Sequence, residues 1–418
     1  MLRTFPAADV PTLDRRRAFD DRTLAEARDI VERVRVGGEP ALREQARRFG
    51  ELDDSDPIIL DKQALERARR ELRPEVESLL RRVADRIERF AHAQRGALHD
   101  LDIPVAAGRA GHRVAPVDRA GCYAPGGRFP LPSSALMTAI PARVAGVRDI
   151  IVASPRPTTV TLAAAAIAGA DALIPIGGAH AIAALAFGTL APPRDIIVGP
   201  GNKWVTAAKH LVSANAGIDM LAGPSELVVI ADDAADADTV AADLLAQAEH
   251  DTDAAPILIT TSEPLASRVN NAVTRRLESL PTQQTARAAC ANGFIALARD
   301  LEQAAALSDA LAPEHLQIMT REPGRTAAMV RHYGAIFIGS ATAEVAGDYG
   351  VGPNHTLPTG GTARFAAGLS VYTFLRARTW IDLDRSSPDY RALLQDTAAL
   401  ARLEGLEAHA RAAEVREP

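Results

Sequence analysis

From residue 112 onward the chain alternates two textures. Short, continuously apolar runs at 149–153, 172–176 and 195–198 recur at 227–231, 256–260, 294–297, 315–319 and 335–338, and read as strands buried on both faces. Between them lie segments with apolar residues at helical spacing: 134–144, 160–169, 179–189 and a helix running to Ala214. This alternation predicts parallel sheets with helical crossovers, hence an α/β fold. The Gly223-Pro224 break divides it into two units of similar rhythm, 112–226 and 227–370, without a convincing sequence repeat between them. The expectation is two incomplete Rossmann-like units.

The flanks differ. Residues 1–111 are charged and mostly helical in pattern, with helices at 21–36 and 40–49 broken at Gly37-Gly38, a short strand at 58–60, and a long helix at 74–94 that starts on a proline. This region is expected to pack with the second unit. Beyond Gly339 the periodicity dissolves into a polar, turn-rich stretch, 348–358 (DYGVGPNHTLP), continued by Thr359-Gly-Gly-Thr362. Long aperiodic segments in compact proteins are usually functional. Residues 371–418 close with a helix at 388–404 and a polar tail.

Composition narrows the function classes. Of 418 residues 47% are hydrophobic and 24% charged, with net charge −6, as in an ordinary globular protein with a sizeable core. No basic, aromatic-interleaved run favours nucleic acid, and the arginines at 15–17, 69–70 and 81–82 read as solvated helix faces. Two cysteines, Cys122 and Cys290, exclude a disulfide framework and a thiolate metal cluster. There is no apolar run of about 18 residues and no leader-like segment, so a cytoplasmic location is expected.

Several short motifs carry candidate chemistry. In Asp243–Asp251 (DLLAQAEHD), Gln247 and His250 lie about 60° apart on a helix face, so they can ligate one metal, while Glu249 points elsewhere. Taken alone, surface polarity explains the pair as well. No GxGxxG follows a strand; Gly199-Pro-Gly201 opens a helix with Trp204 at the third glycine position, which suits either a phosphate cradle or a tight turn. Ala312-Pro-Glu314-His315 puts a carboxyl and an imidazole at a strand entrance, a pair suited to acid–base work, though on its own a turn cap and a core histidine is the favoured reading. Ser225 stands at another strand entrance with no activating neighbour, and Asp348, His355 and His409 complete the candidates.

Together and in this order, the blocks resemble one family, the histidinol dehydrogenases. The blocks are the Tyr123-Ala-Pro-Gly-Gly127 turn, Gly199-Pro-Gly-Asn202, 218–226, 243–250, Leu311-Ala-Pro-Glu-His-Leu316, Gly347-Asp-Tyr349, 352–365 and 404–409. The resemblance implies zinc held by Gln247, His250, Asp348 and His409, the last supplied by the other subunit of a homodimer whose C-terminal tails are exchanged. It implies Glu314 and His315 as the acid–base pair, and a substrate site lined by Ser225, His355 and Glu404 together with the metal ligands. Tyr123 and Asn202 would touch NAD. His180 stands where the family usually has glutamine, so its role toward NAD is open. The implied reaction is oxidation of L-histidinol to L-histidine in two NAD-dependent steps through L-histidinaldehyde. Two rivals stay open: a relative acting on another small alcohol, such as a sulfonated diol, and a non-catalytic binding protein on this fold.

Overall fold

The computed structural model describes residues 2–10, 18–126 and 130–417. The arginines at 15–17 and Gly127 of the Tyr123 turn lie outside the described residues.

The chain starts with β1 (Arg3–Pro6), then α1 (Asp21–Arg48), β2 (Leu60–Asp61), α2 (Lys62–Arg70) and α3 (Pro74–Gly96). Helix α1 is kinked where the sequence predicts a break: Gly38 has φ 60° and ψ −146°, two residues before Pro40. A hairpin follows, β3 (Leu101–Val105) and β4 (Gly108–Pro116). The first unit continues through β5 (Arg119–Tyr123), α4 (Pro132–Ala145), β6 (Asp149–Ala153), α5 (Thr159–Ala168), β7 (Ala172–Ile174), α6 (Gly178–Phe187), β8 (Ile196–Val198), α7 (Lys203–Val212) and β9 (Gly217–Ile218). Left-handed Gly146, Gly169 and Gly188 end α4, α5 and α6.

The second unit runs β10 (Glu226–Ala231), α8 (Ala237–Ala248), β11 (Ala255–Thr260), β12 (Phe294–Leu297), β13 (His315–Met319) and β14 (Ala335–Ile338), with further helices between strands. Helix α8 is capped by Asp236, whose side chain accepts the Thr239 N–H at 2.8 Å. The chain then crosses to β15 (Leu375–Leu383) and the helices Tyr390–Leu403 and Glu407–Glu414.

The two large sheets are built alike. The first has the order β2-β7-β6-β5-β8-β9 and the second β1-β12-β11-β10-β13-β14. Without the edge strands β2 and β1, each reads third-second-first-fourth-fifth, the Rossmann order one strand short. All pairings in both sheets are parallel except β2 with β7. The central strands are buried on both faces, the edge strands only in part, and each sheet has a core on either side.

Two expectations need correction. The N-terminal helices pack mainly on the first unit: α1 lies on α6 and α7, α2 on α5, and α3 on α4, with α3 touching the second unit at its 350–352 loop, where Arg86 Nε donates to the Gly350 carbonyl at 2.6 Å. Only β1 from this region joins the second sheet, beside β12. Amphipathic helices bury their apolar stripe wherever a complementary face is free, and the alanine-rich faces of α4 to α7 provide it. The tail is also not simply helical. Its β15 pairs antiparallel with β4 along nine residues, making a three-stranded sheet with β3, so a division at residue 111 falls inside β4. The two terminal helices pack through Tyr390, Leu394, Ala398, Ala401, Ala410 and Ala413.

Candidate active site

In the first unit the candidates gather at the carboxyl ends of β5 and β8, where the strand order reverses, the usual ligand position in such sheets. Gly199 has φ 116°, and a Cβ there would lie 2.0 Å from the Tyr123 carbonyl oxygen, so only glycine fits this turn. Behind the turn, buried Lys209 pairs with Asp219 and donates to the Gly199 carbonyl at 3.0 Å, while Asp219 accepts the Gly199 N–H at 2.7 Å. Asn202 caps α7, accepting N–H groups of Trp204 and Val205. The Tyr123 hydroxyl accepts the Gly178 N–H at 3.1 Å, and burial pushes it up to about 12.

His180 is 1% exposed and lies stacked on Phe49, with Nε2 2.8 Å from Glu51 Oε2. Glu51 also accepts the Gly177 N–H at the start of α6. The first-unit candidates are thus engaged in internal bonds.

The second unit is different. Its polar groups collect at the amino ends of β10 and β13, adjacent strands paired with Leu227 opposite His315. The Glu226 N–H donates to Glu314 Oε2 at 3.0 Å, and His315 Nδ1 lies 3.1 Å from the Glu226 carbonyl oxygen. His315 Nδ1 therefore carries the proton and donates it, leaving the Nε2 lone pair free. Burial pulls His315 down to about 4, so its imidazole is neutral at pH 7. Burial, reinforced by the carboxylates of Glu226, Asp348 and Glu344, holds Glu314 well above its usual range.

Helix α8 runs back along the sheet, so its end reaches this same edge. Gln247 is 0% exposed, and neither its amide oxygen nor its amide nitrogen has a hydrogen-bond partner. An unpaired buried amide costs on the order of 1–3 kcal/mol, so something absent from the protein itself must engage it. His250 follows one residue past the end of the helix, and its Nε2 lies 3.7 Å from Asp348 Oδ2. An amide oxygen, an imidazole and a carboxylate suit zinc. As expected, Glu249 is turned away, accepting from Thr282 Oγ1 at 2.7 Å.

His355 sits between the units: its Nδ1 is 3.2 Å from the Asp348 carbonyl oxygen and its Nε2 is 3.4 Å from Ser134 Oγ on α4. Ser225 immediately precedes β10 and is half-buried. Glu404 and His409 are elsewhere. Both are exposed, and no hydrogen bond or ion pair among the described residues joins either to the His315 group. His409 lines an apolar groove of about 880 Å³ together with Val105, Ile381, Leu383 and Leu393.

The motif reading missed three groups. Glu344 is 0% exposed with its Oε1 3.4 Å from His315 Nε2; burial and the Asp348 and Asp243 carboxylates push it up to about 8. Asp243 is buried with one unpartnered oxygen and is pushed up to about 6. Glu51 holds His180. Glu344 and Asp243 each precede a candidate ligand, Asp348 and Gln247, by one helical turn, which was the available signal.

A family profile described as histidinol dehydrogenase matches residues 13–417. The chain belongs to the histidinol dehydrogenase family. It is 45% identical over 419 residues to the histidinol dehydrogenase of Gluconobacter oxydans, covering 98% of this chain and 96% of that one. It is 43% identical over 402 residues to that of Thermus thermophilus, covering 96% of each. The crystal structure of histidinol dehydrogenase from Elizabethkingia anophelis superposes with a TM-score of 0.90 at 30% identity, covering 99% of this chain and 98% of that one. Histidinol dehydrogenases depend on zinc and NAD, and the donor set at the second sheet's edge fits a zinc ion. No helix among the described residues is long and apolar enough to cross a membrane.

Proposed function

We propose that this protein oxidises L-histidinol to L-histidine with NAD, in two successive steps through L-histidinaldehyde, as the last step of histidine biosynthesis in the cytoplasm. The observation that carries this reading is the buried Glu314–His315 pair. One group is a neutral base at pH 7 and the other is displaced upward, within one site and oriented by the same residue, Glu226.

His315 Nε2 takes the hydroxyl proton of the alcohol as hydride leaves carbon for the nicotinamide ring. Glu314, fixed by the Glu226 N–H, orients and deprotonates the water that adds to the aldehyde. His315 serves as base again when the hydrate loses its hydride. Zinc would be held by Gln247, His250, Asp348 and a second copy's His409, and when bound it orients the substrate and draws charge from it. Tyr123, His180 and Asn202 line the first unit's edge, where NAD would lie. Ser225, His355 and Glu404, with the metal ligands, would contact substrate.

A homodimer with a shared site is part of the same reading. Glu404 and His409 are exposed and far along a tail that also exposes Ile381 at 74%, Leu403 at 85% and Val415 at 76%. An apolar surface of that kind is covered by a partner in soluble proteins. The test is a stoichiometric assay: purified, zinc-loaded protein must yield about two NADH and one histidine per histidinol consumed. Absence of NADH from histidinol overturns the reading.

A further inference from the structure

His315 poses a charge problem that its own bonds do not solve. The side chain is 7% exposed, so the imidazolium formed on proton abstraction is cut off from water. An isolated cation in such a place is strongly disfavoured. The Nδ1 edge already donates to the Glu226 carbonyl. The other edge faces Glu344, which no motif assigns.

Three observations single out Glu344. Its side chain is 0% exposed. Neither carboxylate oxygen has a hydrogen-bond partner, a costly arrangement unless a charge beside it compensates. Its Oε1 lies 3.4 Å from His315 Nε2 without the alignment of a hydrogen bond. The Nε2 lone pair is therefore left open to substrate, while the carboxyl group stands beside the atom where positive charge develops. Such a prepositioned group stabilises a transition state without reorganising during the reaction.

We propose that Glu344 is the positioning residue and counter-ion of His315, stabilising the imidazolium at each proton abstraction. The inference rests on the proposed oxidation of an alcohol with His315 as base. The proton passes from the substrate oxygen to Nε2 as the C–H hydride leaves, and Glu344 supplies charge, not a bond. Both the imidazolium and a bound zinc ion favour its ionised form. Each of the two oxidations forms the imidazolium once, so both steps depend on Glu344.

A rival role is visible in the geometry: His315, Glu344 and Asp348 each place a donor atom within 4.8 Å of the others, so Glu344 could instead ligate metal. Glu344→Gln separates the two. Measured on zinc-loaded dimeric protein, it is expected to lower kcat about 100-fold in both half-reactions. KM for histidinol should stay within about threefold and bound zinc should stay stoichiometric. In a His315→Asn background the same change should cost nothing further, because a residue acting only through His315 has nothing left to stabilise. Loss of bound zinc, a wild-type kcat, or an equal loss in the His315→Asn background each overturns the proposal. If wild-type protein makes no NADH from histidinol, the substrate reading fails instead. The inference is then decided by NMR titration of His315 in the zinc-loaded protein. Glu344→Gln must lower the midpoint by about one pH unit, and an unmoved midpoint overturns it.

Discussion

The two large sheets share a strand order but use opposite edges. In the first, the candidate cofactor residues lie at the carboxyl ends of β5 and β8, where Rossmann-like sheets ordinarily bind ligands. In the second, Glu314 and His315 lie at the amino ends of β10 and β13, and α8 returns to bring Gln247 there. The edges also differ in satisfaction. Tyr123, Asn202, Lys209, Asp219 and Glu51 all have internal partners. Gln247, Glu344 and Asp243 keep buried polar atoms with none. The first edge is a largely satisfied scaffold, although buried His180 Nδ1 lacks a partner. The second keeps more buried polar groups without internal partners, which is where chemistry is expected.

Function should therefore fail at the second edge and stability at the first. The largest expected effect is His315→Asn, which keeps a polar side chain of similar size but removes the base. It should lower kcat by about 10³-fold with little change in unfolding free energy, measured by steady-state kinetics and urea titration. Next is Lys209→Met, which leaves Asp219 buried and unpaired behind the Gly199 turn. It should cost at least about 3 kcal/mol of stability while the folded fraction keeps stoichiometric zinc. A kcat defect in folded Lys209→Met as large as that of His315→Asn would erase the distinction between the edges.

A third change works through pH. Burial raises Asp243 to about 6 from an ordinary 3.8, so folding disfavours its ionised form. As pH rises through 3.8 the unfolded chain releases this proton first, the folded chain only near 6, and the penalty is constant above that. The full penalty is about 3 kcal/mol. In metal-free protein, Asp243→Asn should therefore raise the urea midpoint at pH 8 and change it far less at pH 4, where only a small part of the penalty is present. A gain of equal size at both pH values would place the cause outside ionisation.

These groups also mark what the sequence shows and hides. The strands 294–297 and 315–319 have the predicted bounds because strands buried on both faces are nearly continuously apolar whatever packs on them, and the apolar edge strand 335–338 has them too. The outward turn of Glu249 was equally local. Strand β15 was not legible: LRARTWIDL is mostly exposed, and its partner β4 is remote in sequence. The placement of α1 to α3 on the first unit was hidden for a related reason, since helical periodicity specifies a buried face but not what covers it. Glu344 and Lys209 look like ordinary surface charges until tertiary structure buries them. The family blocks pointed to the candidate ligands, but not to which of them one chain brings together.

The smallest expected effect tests the first edge directly. His180 replaces the family's usual glutamine, and its ring is stacked on Phe49 and bonded to Glu51. His180→Gln keeps an N–H donor for Glu51 and loses the stacking, so stability should fall by about 1 kcal/mol. If the first edge is a largely satisfied scaffold, NAD affinity measured by calorimetry should change less than about threefold, which is under 1 kcal/mol. A larger gain in affinity would mean that the His180–Glu51 pair competes with the cofactor for this edge. A larger loss would make His180 a cofactor contact in its own right. Either result would assign the first sheet a part in the chemistry, and the buried, unpartnered His180 Nδ1 is the atom through which it would act.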